Sequence, residues 1–285
     1  MRHAPPVSTL ASSLTAAETS GFEPDLVLGS VNDLVADWRP RWQQLSFAGR
    51  RAKIVVRIEA LSSHPKRHPR EESMADITMW NLGPSPNNMK VRIALNYKGI
   101  PFDTVEVAFM DEERAAVVEV SGQPLTPVIK HGDAVVYDSR AILRYLDNNF
   151  RDTPSLFATD RPTMMALEQE EDYGRNKIGE PVGMVFGQAI AEDGPDISVC
   201  AQASQMIHAA TAPYEERLQN QDFLMGDHMT VVDVTAAPLV SYSMVPREAG
   251  GPENPLVQCF IDNFSLGDGR DKTREWVGRV MAYDR

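Results

Sequence analysis

The chain has 285 residues, 42% of them hydrophobic and 24% charged, with a formal net charge of −12 and a mean hydropathy of −0.30. That composition excludes a collagen-like or wholly disordered chain, and no run approaches the roughly 18 consecutive apolar residues of a membrane span. The charge is uneven: residues 1–73 carry 10 Lys and Arg against 8 Asp and Glu, and the remainder carries 18 against 32. An acidic body repels phosphate backbones and anionic lipid, so neither nucleic acid nor a membrane is an expected partner. Cys200 and Cys259 form no Cys-x-x-Cys pair and no metal-ligand spacing, which points to a reducing, cytoplasmic setting.

Residues 1–73 read as an extension without a core of its own. Positions 1–20 are rich in Ala, Ser, Thr and Pro with no apolar run of signal-peptide length. Val31, Leu34, Val35 and Trp38 have helical spacing and Ile54–Leu61 suggests a short element, before a basic Pro/His linker at 64–70. From residue 74 the signals become regular. Ile77–Trp80 reads as a buried strand stopped by Gly83-Pro84. Val91, Ala94 and Leu95 share a helix face ending near Lys98-Gly99, and the alternation of Val105 and Val107 marks a second strand. This is a βαβ unit. Pro127–Lys130 and Ala134–Tyr137 flank His131-Gly132-Asp133 as a hairpin, and Ala141, Ile142, Tyr145 and Leu146 mark the following helix. The module of residues 74–152 is thus α/β.

Residues 160–285 read as all-helical. Met164 to Phe186 suggests one long helix disturbed at Gly179-Glu180-Pro181, and Val199 to Leu218 a second. A third starts at Thr230, where Thr230 and Asp233 have capping-box spacing and Met229 can staple onto Val234. A breaker-rich loop spans Pro246–Pro255, and Trp276, Val277 and Val280 belong to a final helix. Glu168, Glu170, Glu171 and Asp172 read as a solvated helix face. His131 and His208 have no ligand cluster around them, so no metal is expected.

The chemistry-bearing residues gather in the α/β module. Ser85 precedes the first helix, where a hydroxyl lies beside unpaired N–H groups that favour negative charge. Thr126-Pro127 stands directly before a strand, where a cis bond would leave the backbone of Thr126 free for an extended ligand. Asp138-Ser139 opens the next helix and offers hydroxyl, carboxylate and N–H groups to an α-amino acid end. Each alone also suits an ordinary cap or turn; their order along the chain favours ligand contact.

Residues 77–285 resemble the cytosolic glutathione transferases. The likeness is carried by Ser85-Pro86-Asn87-Asn88-Met89-Lys90-Val91-Arg92-Ile93-Ala94-Leu95, by Gly122-Gln123-Pro124-Leu125-Thr126-Pro127-Val128-Ile129, and by the stretch from Asp138 to Leu146. Phe223-Leu224-Met225-Gly226-Asp227 with Thr230 and Asp233 extends it into the second domain. The resemblance implies a thioredoxin-like α/β N-terminal domain followed by an all-α C-terminal domain. It further implies a detoxification-type transfer of glutathione to a small hydrophobic electrophile, with glutathione as co-substrate.

Trp80 stands near where tyrosine-type members keep their hydroxyl, and no cysteine lies in the loop. Ser85 is therefore expected to stabilise the thiolate, as in serine-type members. Asn87 resembles the asparagine that faces sulfur in nu-like members, which leaves glutathione-dependent reduction of a disulfide or peroxide as an alternative. A non-catalytic binding protein with the same fold is the third reading. By resemblance Thr126 and Pro127 would hold the cysteinyl part of glutathione, and Asp138 and Ser139 its γ-glutamyl end. Gln123 would compensate for Leu125, which stands where many members carry a lysine. Tyr173 and Lys177 are expected to line the electrophile pocket, and a homodimer is expected.

Overall fold

Burial alternates along the first strand, β1 (Ile77–Asn81), with Ile77, Met79 and Asn81 turned inward. In the computed structural model, which describes residues 76–108, 114–252 and 254–285, β1 pairs in parallel with β2 (Phe102–Glu106). It pairs antiparallel with β3 (Val128–His131), which pairs antiparallel with β4 (Ala134–Tyr137), giving the order β2-β1-β3-β4. The expected extension 1–73 lies outside the described residues.

A parallel pair needs a crossover, and α1 (Pro86–Tyr97) supplies it. Proline opens this helix at a position where its missing N–H is no loss, and Gly99 at φ 66° follows its end. A helix absent from the sequence reading, α2 (Ala115–Ser121), lies between β2 and β3. It is short and Val117 is its one buried residue, so it establishes no helical period. Val117 packs with Val107 and Val128 on one face of the sheet, beside Trp80 and Val135. On the other face Ile77, Met79 and Ile129 meet α1 and α3 (Ser139–Asn149), through Val91, Leu95, Ile142, Leu143 and Leu146. Val128 and Ile129 thus go to opposite cores, as the period of a strand requires.

The helical domain comprises α4 (Arg161–Tyr173), α5 (Gly179–Ala189), α6 (Ile197–Ala210), α7 (Ala212–Arg217), α8 (Val231–Ser241), α9 (Pro255–Asn263) and α10 (Asp271–Met281). Three expectations are corrected here. The disturbance in the first long helix is a π-helical turn at Gly174–Ile178, not Gly179-Glu180-Pro181. Gly174 is the tight spot, since a Cβ there would lie 3.3 Å from that of Ala236, whereas Pro181 falls in the first turn of α5, where it is tolerated. The second helix is split at Thr211, whose hydroxyl donates to the Ile207 carbonyl while Pro213 follows within α7. Beyond the Pro246–Pro255 loop, α9 occupies an interval for which no element was expected.

Helix α8 is buried from Val231 to Val240, between α1 of the first domain and the other helices of the second. The capping box is present: Thr230 Oγ1 accepts from the Val232 N–H and Asp233 Oδ2 accepts from the Thr230 N–H at 2.8 Å. Oδ1 of Asp233 also accepts from the Leu224 N–H at 2.8 Å and from the indole of Trp276 at 2.9 Å. Met229 and Val234 are fully buried in the same core, as a staple requires. Among the described residues no helix is long and apolar enough to cross a membrane, and no cluster of His, Cys, Asp or Glu could hold a metal ion.

Candidate active site

The loop from Leu82 to Ser85 is fixed from four directions. The Leu82 N–H donates to Asn88 Oδ1 at 3.0 Å, and the Ser85 N–H to the Leu82 carbonyl at 3.0 Å. Arg92 Nη2 donates to the Gly83 carbonyl at 3.0 Å, and the Tyr242 hydroxyl donates to the Pro84 carbonyl. Arg92 is itself gripped by Asn81 at 2.6 Å and by both carboxylate oxygens of Asp284 at 2.7 and 3.0 Å. Residues from the far end of the chain therefore hold the corner where the first strand meets its helix.

Ser85 is the N-cap of α1 by its backbone, yet its side chain makes no capping hydrogen bond. Its half-buried hydroxyl stays beside the positive end of a helix, where an anion is favoured. Asn88, fully buried, donates to Thr126 Oγ1 at 3.2 Å. The Thr126–Pro127 peptide is cis. Asn87 Oδ1 accepts from the Ser139 hydroxyl at 3.3 Å. Two asparagines thus tie the helix start to the Thr126–Pro127 turn and to the head of α3, and the structure brings Ser85, Asn87, Thr126, Pro127, Asp138 and Ser139 to one corner.

Asp138 is an exposed N-cap with φ 70° and ψ 121°, a region rare outside glycine whose occupation costs on the order of 1–3 kcal/mol. Its Oδ1 accepts from the Arg140 and Ala141 N–H groups at 2.9 and 3.2 Å, and the turn leaves Ser139 buried. Lys90, from α1, lies beneath: it is 3% exposed and its Nζ is 3.5 Å from Ser139 Oγ. Burial pulls its pKa down from 10.5 to about 8; Glu171 and Asp138 oppose the fall, and Arg175 and Arg140 add to it.

Some expected residues behave differently. The Gln123 amide is spent within its own loop, donating to Ser121 Oγ and the Leu125 carbonyl and accepting from the Leu125 N–H at 2.7 Å. The Tyr173 hydroxyl donates to the Ala210 carbonyl at 2.9 Å and its ring packs edge-on against Tyr214. Lys177 is an exposed residue of the π turn. The side chains of this segment that meet α3 are Glu168, Glu171 and Asp172. Glu171 corrects the reading of a solvated face, for it is fully buried, 3.3 Å from Arg140 Nε and 3.0 Å from Arg144 Nη2. Trp80 packs on the far face of the sheet, and both cysteines are buried and free.

Sequence reasoning passed over Lys90, Arg92, Asn88 and the Glu171 pair. The available signal was the stretch Met89-Lys90-Val91-Arg92-Ile93, in which two cations alternate with large apolar residues in mid-helix.

Comparison with known proteins falls on this architecture. The profile described as "Glutathione S-transferase, N-terminal domain" matches residues 83–154, and that of the C-terminal domain matches residues 189–266. Glutathione S-transferase F6 of Arabidopsis thaliana is 25% identical over 200 residues, covering 67% of this chain and 96% of the relative. Glutathione S-transferase 3 of Zea mays is 24% identical over 208 residues, covering 70% and 94%. Among solved structures, rice GST1 in complex with glutathione superposes with a TM-score of 0.55 at 19% identity, covering 71% of this chain and 85% of that one. A glutathione transferase family member from Pseudomonas fluorescens with two glutathiones bound gives 0.53 at 24%, covering 72% and 86%.

Proposed function

Because this chain belongs to the glutathione transferase superfamily, we propose that it transfers glutathione to a small hydrophobic electrophile, with the thiolate held at Ser85. The observation that carries the reading is the Ser85 hydroxyl, placed at a helix N-terminus and left out of capping. A free thiol with pKa near 8.5 is only a few per cent ionised at neutral pH. A hydroxyl donating to sulfur, with the helix dipole behind it, needs to supply about 2.7 kcal/mol to lower that by roughly two units. Ser85 stabilises the anion and takes no proton. The proton passes to solvent, sulfur attacks the electrophilic carbon, and the leaving group departs with its electron pair.

The other groups bind and orient. The cysteinyl part of glutathione would pair with the backbone of Thr126, outside the ladder that begins at Val128. Asp138 and Ser139 would take the γ-glutamyl end, and Asn87, bonded to Ser139, would couple that end to the sulfur corner. Gln123 serves this arrangement by shaping the loop ahead of Thr126. A homodimer, the α/β domain of one subunit against the helical domain of the other, and a cytoplasmic setting complete the reading.

Retention on immobilised glutathione followed by an aryl-halide conjugation assay tests it. Binding with turnover is expected, and Ser85→Ala should lower kcat/KM at pH 6.5 by about 10- to 100-fold, or about 1.4–2.7 kcal/mol. Unchanged turnover would remove Ser85 from the mechanism. Reduction of a disulfide or peroxide without conjugation would establish the alternative reading at Asn87. Absence of binding would leave a non-catalytic protein on the same fold.

A further inference from the structure

We propose that Lys90 is the buried cation that receives the α-carboxylate at the γ-glutamyl end of glutathione, acting beside the Ser139 hydroxyl; the inference rests on glutathione being the ligand. Lys98 and Lys272 each have a carboxylate within 4 Å, at 2.8 and 2.9 Å, and are the lysines so paired among the described residues. Among the described residues Lys90 has none, and its one hydrogen bond to them is the 3.5 Å approach to Ser139 Oγ. An ammonium taken out of water with so little in return is a liability unless an anion comes to it.

The surrounding charges do not supply that anion. Glu171 and Asp138 attract Lys90 while Arg175 and Arg140 repel it, two against two. Glu171 is already shared between Arg140 and Arg144, and Asp138 turns one oxygen to the N–H groups of α3. What stands above the ammonium is a hydroxyl at the N-terminus of an 11-residue helix, and both favour negative charge. Ammonium, hydroxyl and helix end together form a receptor for a carboxylate. The exposed Asp138 carboxylate beside it suits the ammonium of the same α-amino acid group. Lys90 thereby makes the α-carboxylate a requirement for binding rather than an accessory.

The test is calorimetric and uses S-methylglutathione, which has no thiol to ionise, and its analogue lacking the α-carboxylate. The full-length protein should bind the analogue about 10- to 100-fold more weakly. Lys90→Met should bind S-methylglutathione weakly and discriminate between the two less than about threefold, whereas Lys90→Arg should restore discrimination. Near pH 8.5 the unaltered protein should take up a fraction of a proton as the carboxylate arrives, read from binding heats in two buffers of different ionisation enthalpy. That measurement stands even if Lys90→Met does not fold. Discrimination that survives intact in Lys90→Met, or binding without proton uptake, overturns the assignment while leaving glutathione as the ligand. Failure of the unaltered protein to bind either compound overturns the glutathione reading and this inference with it.

Discussion

Neutralising Lys90 should stabilise the ligand-free protein, by an amount that depends on pH. Below about pH 8 the residue is protonated in both the folded and unfolded chains, and only the folded chain bears the penalty of burying the charge. A fall from 10.5 to about 8 corresponds to about 3 kcal/mol. Methionine fills the same stem volume without the charge, so Lys90→Met should gain up to about 3 kcal/mol at pH 7. Between pH 8 and 10.5 the unfolded chain keeps a proton that the folded chain has released, so the stability of the unaltered protein rises with pH. The gap between the two proteins should therefore close through that window. Urea midpoints for both at pH 7 and pH 10.5, converted with measured slopes, decide the matter. A variant less stable than its parent at pH 7, or a gap that ignores pH, would mean that Lys90 bears no uncompensated charge. A residue whose removal strengthens the fold and weakens ligand binding is one retained for function.

Three further outcomes follow from the same geometry. Asp233→Ala removes four hydrogen bonds from a buried carboxylate that joins Thr230, Leu224 and Trp276. It should cost about 4 kcal/mol or prevent folding, and a loss under about 1 kcal/mol in thermal unfolding would contradict the role given to it. Asp284→Ala leaves the nearly buried Arg92 guanidinium without its bidentate partner. A loss of about 3 kcal/mol in the denaturant midpoint is expected, with a fall in kcat/KM, and an unmoved midpoint would show the pair to be dispensable. Glu171→Gln withdraws an attraction that holds up the pKa of Lys90, so proton uptake on binding S-methylglutathione should move to lower pH. Calorimetry across pH 6–9 checks that direction.

The elements that were legible in the sequence are those in which a single environment repeats. β1 reads as a short apolar run because both faces of the sheet are packed, Ile77 and Met79 in one layer and Trp80 in the other, and α3 shows paired apolar positions because one side of it packs inward. The Thr230–Asp233 box was legible because capping is a local bargain among four residues. α2 was not, since seven residues with one buried valine carry no period. The π turn escaped because it carries no local pattern of its own, and the neighbour packed against its first residue, Gly174, is Ala236, 62 positions along the chain, which no local window contains. Ser85, Asn87, Thr126 and Ser139 stand out in the sequence because each lies at or beside the end of an element. Lys90 and Glu171 were missed because their meaning comes from opposite sides of a domain boundary. A glutamate in the run Glu168–Asp172 looks solvated until two arginines from α3 close over it.

The tether from Arg92 to Asp284 joins residues 192 positions apart. A ribosome therefore completes the α/β half long before it adds the acid that steadies the corner at Ser85. Until then the guanidinium of that half lacks its counterion, so the first half made alone is an unfinished enzyme. Chimaeras that exchange helical halves between relatives would inherit the same debt, and those matching an arginine at 92 with an acid at 284 should be the ones that work.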